Sequence, residues 1–398
     1  MKKGGRGGQL GLQQAHTDQK YSISSSIGSR QAERTATVSE RREAFEPGSL
    51  TSNTGPKYET QQPSNSSTLV GTCTDMCPAK ERAQRERLRD LAVFERLDGN
   101  PGKTSSSLAV KKFCRTLSSH ELRPSDLRPP EVLQNTLKYL LSLMDSSEGS
   151  FEEVHEFVFD RTRSIRQDLS MQNITNEQAM QMYEEMTKFH IISHHKLARC
   201  CSGLDNSSLR YLNMEQLIKC LLSLYEIYDL NRRLQFISKN EMEFRSFYVL
   251  LHLGHKIPLM EQSLSLWFHH LAFPILRSKE MCFARALMRY FWMGNYKRFF
   301  VSVAGEASKL QLCLIEPFLN EVRVRAISCI NHSGYKLQPY PLEHLCKLLL
   351  VKEQELESLC VECGLEIIID ELGCKILPTK QTSFHQPKGN LQSYCLSR

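Results

Sequence analysis

The sequence lacks a run of 18 apolar residues, and no apolar stretch follows its first methionine. A membrane-spanning helix needs about 20 mostly apolar residues, and a secretory signal needs an apolar core. The sequence also lacks the glycine-rich loops that cradle nucleotide phosphates and the G-x-S-x-G motif of serine hydrolases. We therefore expect no membrane segment, no secretory leader, no cofactor, no small-molecule substrate and no enzymatic activity.

The 398 residues suffice for one large domain or two of ordinary size, and 40% hydrophobic content supports a real core. The formal net charge of +7 permits contact with RNA or an acidic protein but requires neither. Most of the 14 cysteines, such as Cys220 and Cys346, lie inside apolar helical patterns. There a cysteine behaves as a small buried hydrophobe, so the sequence predicts a reducing compartment rather than a disulfide framework.

Residues 1–70 are rich in Gly, Ser, Thr, Gln and Asn, have no hydrophobic period, and are predicted to be disordered. From about 79 to 365 the hydrophobic spacing is helical, short turns separate the segments, and no strand pattern intervenes. Such a succession indicates a helical stack without a consensus repeat. The predicted helices cover about 79–97, 107–118, 129–144, 151–170, 175–196, 213–235, 239–253, 277–293, 296–304, 309–332, 341–350 and 352–363.

The end of the chain has a different pattern. A β-branched run at 365–370 is followed by a turn at 371–373 and a second short run at 375–379. Two helices followed by such a hairpin are typical of a winged helix. We therefore predict an all-α fold, a helical-repeat (TPR/PCI-like) stack over 71–305 capped by a winged helix with a small β-hairpin over 306–384, then a loose tail over 385–398.

Three motifs identify a family. They are Cys73-Thr-Asp-Met-Cys-Pro78, Leu122-Arg-Pro-Ser-Asp-Leu-Arg-Pro-Pro-Glu-Val-Leu133 and Phe157-Val-Phe-Asp-Arg-Thr-Arg-Ser-Ile-Arg-Gln-Asp-Leu169, in this order. Gly294-Asn-Tyr-Lys-Arg-Phe-Phe300 belongs to the same pattern. Over about 72–384 the chain resembles the Sac-three/GANP family, the large scaffold subunit of the second transcription-export complex.

The resemblance implies a nuclear scaffold for messenger-RNA export that pairs with a PCI-domain protein and a small acidic subunit to form an RNA-binding platform. The sequence has no Phe-Gly dipeptides and no long helix after 384, the features with which larger members reach export receptors and the nuclear pore. The sequence therefore does not predict whether this chain docks at the nuclear pore. The alternative is a structural protein of the centrosome or spindle, acting in centrosome duplication and mitosis, with a centrosomal or cytoplasmic location.

The third motif combines charged and apolar residues on one helix. Arg161 and Asp168 fall on the same stripe as its apolar side chains, where an ionised group must be paired. We predict a buried structural network in this segment; the alternative is a catalytic or RNA-binding arginine cluster. Arg163 and Arg166 point elsewhere and are expected on an exposed basic strip. The charged residues assigned to the structural network of this helix are Asp160, Arg161, Arg163, Arg166 and Asp168, of which Arg163 and Arg166 form the exposed side.

Two sets of residues are candidates for binding. Lys297 and Arg298 stand in a stretch, 289–300, that interleaves basic and aromatic residues, as single-stranded nucleic acid sites do; the rings more often fill a core. Lys375 and Lys380 mark the predicted wing as a positive, RNA-contacting face. The helix at 352–363 is acidic and would be repelled by phosphates, so Glu353, Glu355 and Glu357 are predicted to contact a protein partner.

Two patterns superficially suggest a metal. Cys73 and Cys77 have a spacing compatible with zinc but no second ligand pair close after them. His190 and His194 lie one helical turn apart, but Lys196 and Arg199 surround them with positive charge. We predict packing roles for both sets and no metal site.

Overall fold

The structure is a computed structural model that describes residues 69–116, 123–145, 149–200, 206–254, 263–333 and 338–387. These residues all belong to one compact unit, residues 66–398. The segment predicted to be disordered lies outside the described residues except for its last two, and the predicted tail does so from residue 388. The predicted domain boundary at 306 falls inside the unit and stays a prediction.

A stack of helices forms most of this unit. The helices are α1 Ala79–Leu88, α2 Pro130–Leu143, α3 Phe151–Met171, α4 Glu177–Cys200, α5 Asn206–Arg233, α6 Glu241–Leu251, α7 Leu264–His270, α8 Phe273–Leu276, α9 Lys279–Trp292, α10 Tyr296–Glu306 and α11 Lys309–Ser333. The closest packing joins α4 to α5, α6 to α9, α11 to α4, and α9 to α10. None of the helices within the described residues is both long and apolar enough to cross a bilayer.

Capping residues set the start of several helices. At the start of α3, the Ser150 hydroxyl accepts a bond from the Glu153 backbone N–H, and the Glu153 carboxylate accepts one from the Ser150 N–H, both at 3.3 Å. This reciprocal pair is a capping box. Ser278 and Asn295 cap α9 and α10 more simply, each side-chain oxygen accepting one backbone N–H of the first turn. Each cap satisfies an N–H group that the helix itself leaves unpaired.

The C-terminal part continues from α11 through β1 Tyr340–Pro341, α12 Leu342–Leu349, α13 Glu353–Glu362, β2 Ile368–Ile369 and β3 Lys375–Leu377. The strands form a small antiparallel sheet in the order β1-β3-β2. Leu377 of the central strand is fully buried. The mostly helical stack with its small terminal sheet confirms the predicted fold class. β1 was not predicted, because a two-residue strand is too short to show alternation.

Two predicted helices were wrong in part. Residues 107–116 are not helical: the Val110 N–H bonds the Glu95 carboxylate at 2.9 Å and the Lys111 N–H bonds the Met76 carbonyl at 3.0 Å. Tertiary partners thus replace the bonds that a helix would make. The helix predicted over 79–97 ends at Leu88, because Arg89 adopts a left-handed conformation with φ 54°. The sequence pattern also did not predict α7 or α8, and the helix predicted from 213 begins earlier in the structure, at Asn206 of α5.

Candidate functional site

The side chain of Glu95 is the centre of one buried charge cluster. It accepts a hydrogen bond from Arg161 Nη2 at 3.0 Å, one from Arg85, and backbone bonds from Ala92 and Val110. Burial by itself raises the pKa of this carboxyl, but Arg161 and Arg85 outweigh it and hold the pKa below its usual value. Glu95 is fully buried and ionised between two guanidinium groups.

A second buried cluster surrounds Asp168. Its Oδ1 lies 2.6 Å from Lys111 Nζ and its Oδ2 lies 2.7 Å from Arg128 Nε. Arg128 also donates to the Ser164 hydroxyl at 2.7 Å, and its carbonyl accepts from Gln172 at 2.8 Å. Every charge in this cluster has an opposite charge and further hydrogen bonds, as burial requires.

The second cluster joins the three sequence motifs, because Arg128 of the second motif pairs with Asp168 of the third and donates to the Met76 carbonyl of the first at 3.2 Å. Arg161 and Asp168 do not pair together: Arg161 pairs with Glu95 and Asp160, whereas Asp168 pairs with Lys111 and Arg128. The sequence reading missed Glu95, Lys111 and Arg128 because their partners are remote in the chain. Arg161 is only 4% exposed, which leaves it no surface for RNA.

Arg163 and Arg166 were expected on an exposed strip, and the structure corrects this. Both are half-buried. Arg163 lies over the Phe113 ring, 3.9 Å from its centroid, and Arg166 hydrogen-bonds Gln216. Burial lowers the pKa of Arg163. Phe113, from the non-helical residues 107–116, covers Arg163, and Gln216 of the neighbouring helix α5 contacts Arg166.

The candidate nucleic-acid interface lies at the turn between α9 and α10. Lys297 and Arg298 are exposed there, in the first turn of α10. Cations are unfavourable at a helix N-terminus, where the backbone N–H groups already form a positive pole. Two exposed cations and the positive pole of the helix together make this end of α10 attractive to an anion such as phosphate.

Helix α9 adds Arg285 to the basic and aromatic residues of the predicted stretch, 289–300. Arg285, Arg289 and Trp292 are all exposed, at spacings of four and three residues, and so lie on one face. Trp292 is 59% exposed. Among the other aromatic side chains of residues 289–300, Phe291, Phe299 and Phe300 are buried, as predicted for aromatics that fill a core. Trp292 is the exception and leaves a ring face for stacking.

Carboxylates of these two helices are confined to the opposite end. Glu280 begins α9 and Glu306 ends α10, and both line one cavity with Lys279 and Ser308. A helix of this length spans about 20 Å. The end of α9 and the start of α10 that meet at the turn therefore carry Arg289, Lys297 and Arg298 without an acidic residue from either helix, and Arg285 lies midway along α9.

The sequence assigned the basic wing and the acidic helix α13 to separate faces, and the structure brings them together. Lys375 Nζ lies 3.0 Å from Glu353 and 2.5 Å from Glu357. These hydrogen bonds raise the pKa of Lys375, and the bond to Glu357 has the larger effect. Glu355 accepts a bond from the Lys352 backbone N–H and so caps its own helix. Lys380 is exposed.

The cysteine and histidine patterns occupy packed positions. Cys77 is fully buried, and burial raises the pKa of its thiol to about 12. His190 is also buried, with Nδ1 2.8 Å from the Asn213 side-chain oxygen. Burial, with a smaller effect from Arg166, lowers the pKa of His190 to about 3. Both side chains serve the helical core.

Comparison with known proteins agrees with this arrangement. A family model described as the SAC3/GANP family matches residues 76–368. SAC3 family protein B of Arabidopsis thaliana is 37% identical over 325 residues, which cover 79% of this chain and 19% of that protein. SAC3 family protein 1 of Schizosaccharomyces pombe is 39% identical over 216 residues, covering 54% of this chain and 20% of that protein.

Protein xmas of Drosophila melanogaster is 29% identical over 343 residues, covering 80% of this chain and 16% of that protein. This chain thus spans about a fifth of the length of these relatives. The family match includes nearly all of the helical stack, both buried charge clusters and the start of the terminal sheet. On this extent of similarity the chain belongs to the SAC3/GANP family.

Proposed function

We propose that this chain is a non-enzymatic scaffold of a nuclear messenger-RNA export complex. It pairs with a PCI-domain protein and a small acidic subunit, and holds RNA without reading its sequence. Family membership supports the scaffold role. The RNA-binding part of the proposal rests on the turn between α9 and α10, where exposed cations lie near the exposed ring of Trp292.

The geometry favours single-stranded RNA. Phosphates interact with Lys297, Arg298 and Arg289, and one base stacks on Trp292. Lys380 is a further exposed cation, but the charge of Lys375 is already engaged by Glu353 and Glu357. We therefore assign the larger share of RNA binding to the α9–α10 turn and the smaller share to the wing.

A salt titration of RNA affinity tests this assignment. Each phosphate contact adds about 0.7 to the slope of log affinity against log salt for a single strand. Lys297→Glu/Arg298→Glu should flatten the slope by about 1 or more, whereas Lys375→Glu/Lys380→Glu should change it less. An unchanged slope in the first variant, with its fold intact by circular dichroism, overturns the RNA assignment.

The terminal sheet supplies a surface for the PCI-domain partner. β2 is an edge strand, and its residues Ile368 and Ile369 are 46% and 68% exposed. Leu372, on the following turn, is 87% exposed, and Val361 of α13 is 69% exposed. An exposed apolar edge strand is a template for pairing with another chain. We assign this edge, beside the acidic helix α13, to the partner.

Affinity purification from nuclear extract tests the partner assignment. The wild-type chain should recover a PCI-domain protein and a small acidic protein. Ile368→Glu/Ile369→Glu should lose both while keeping RNA affinity, and Leu234→Glu, a change at a 78% exposed site after α5, should lose neither. Recovery of mainly tubulin-associated proteins by the wild-type chain would instead favour a centrosomal structural role.

A further inference from the structure

A second exposed surface begins at the end of α1. Leu88, the last residue of this helix, is 61% exposed, and Arg87 and Arg89 on either side of it are also exposed. The left-handed conformation of Arg89 turns the chain here, and the Arg89 N–H bonds the Glu86 carbonyl at 3.1 Å. The helix thus ends on an apolar side chain flanked by two guanidinium groups.

A neighbouring loop, residues 97–104, extends this surface. The Glu86 carboxylate accepts a bond from the Thr104 N–H at 2.9 Å, which ties the loop to α1. The Leu97 N–H donates to the Lys103 carbonyl at 2.9 Å, and Leu97 is 41% exposed. Arg89 packs beside the same loop, because its Cγ lies 3.9 Å from the place of a Cβ at Gly102. We call Arg87, Leu88, Arg89, Leu97 and Lys103 the α1 surface.

The carboxylates near the α1 surface are largely occupied by internal contacts. Asp75 pairs with Arg82 at 2.8 Å, and Asp90 pairs with Lys112 at 3.1 Å. Glu81 and Glu86 accept backbone N–H groups at 2.8 and 2.9 Å. Asp98, exposed on the loop, is the exception.

The cations of the α1 surface are not occupied in this way. No carboxylate within the described ranges forms an ion pair with Arg87, Arg89 or Lys103. The surface therefore presents three available positive charges around two exposed leucines.

We propose that the α1 surface binds an acidic segment of a partner protein that carries aliphatic side chains among its carboxylates. Its charge complements the three cations, and its apolar side chains cover Leu88 and Leu97, which otherwise stay in water. RNA fits less well, since bases stack on aromatic rings and this surface offers leucines instead. This inference depends neither on the proposed RNA site nor on the sheet edge assigned to the PCI-domain protein and the small acidic subunit, since both of those use other residues.

Fluorescence anisotropy with the full chain tests the proposal. The probe is a labelled peptide of repeated Asp-Asp-Leu, compared with a peptide of repeated Asp-Asp-Ser. The leucine peptide should bind at least about tenfold more tightly than the serine peptide, a difference of about 1.4 kcal/mol. Arg87→Glu/Arg89→Glu and Leu88→Ser/Leu97→Ser should each weaken the leucine peptide at least about tenfold.

The matched control is Lys309→Glu, which reverses an exposed cation at the start of α11 and should leave peptide binding unchanged. Circular dichroism shows whether each variant folds, and Arg87→Gln/Arg89→Gln replaces the charge reversal if that variant does not. Equal binding of the two peptides overturns the proposal, since charge alone would then explain it. The proposal also fails if the arginine variant loses affinity for single-stranded RNA but keeps the leucine peptide.

Discussion

Arg128 and Asp168 form an ion pair from which water is excluded, with Nε 2.7 Å from Oδ2 and neither side chain exposed. Arg128 comes from the second sequence motif and Asp168 from the third. Lys111, from the non-helical residues 107–116, contacts the other carboxylate oxygen at 2.6 Å. One carboxylate thus fixes two otherwise separate segments against α3.

Asp168→Asn should strongly destabilise the fold. The change leaves Arg128 and Lys111 buried without a counter-charge, and breaking a buried pair typically costs about 3–5 kcal/mol. Urea unfolding followed by circular dichroism measures this loss. As a control, Glu343→Gln breaks a solvent-exposed pair with Lys347 and should cost far less stability than Asp168→Asn. Similar losses for the two variants would contradict a structural role for the Asp168 cluster.

Arg161→Ala and Arg163→Ala should differ although they lie on the same helix. Arg161→Ala leaves Glu95 buried with Arg85 as its remaining cation, and we expect a loss of a few kcal/mol. Arg163 is half-buried and stacks on Phe113, so its removal should cost about 1 kcal/mol. The melting temperatures of the two variants test the difference. Small and equal shifts would refute the buried network.

The buried histidines should make the fold less stable in mild acid. Burial lowers the pKa of His155 to about 4, below the value of about 6.5 expected for an unfolded chain. The unfolded chain therefore takes up protons first as the pH falls through 6.5, and stability declines from there toward the folded pKa. We expect His155 alone to account for a loss on the order of 1–2 kcal/mol between about pH 7 and pH 5, measured by urea unfolding.

His155→Phe separates this effect from general acid sensitivity. His155 lies among the rings of Phe151, Phe159 and Phe189, with centroids 5.6–6.0 Å away, so a phenyl ring should fit there. The variant should lose part of the pH dependence. His344→Gln should retain all of it, because His344 is exposed in the folded chain. An unchanged pH dependence in His155→Phe would exclude His155 as a source.

Trp292→Ala should weaken RNA binding without changing its salt dependence. Stacking of a base on an aromatic side chain contributes about 1–3 kcal/mol and involves no counterion. The 59% exposed side chain also contributes little to the core, so the melting temperature should hold. The same salt titration measures both quantities. Full RNA affinity in this variant would show that Trp292 does not stack on a base.

The sequence predicted much of the helical stack because α3, α9 and α12 each bury one regular stripe of apolar residues. Arg161 and Asp168 were expected to be buried for the same reason: they lie on the apolar stripe of α3. Their partners were not identified, since Glu95 and Arg128 lie 66 and 40 residues away in the chain. No local period records which distant charge meets which.

What the sequence determined by itself is the set of helices with regular periodicity and the family, through motifs whose order and spacing are visible along one dimension. The tertiary structure decided three further matters. It kept residues 107–116 out of a helix, because Glu95 and Met76 satisfy backbone groups there. It placed Lys375 against Glu357 and left Trp292 outside the core. Each outcome depends on contacts between residues distant in the chain, and those contacts exist only once the helices have packed.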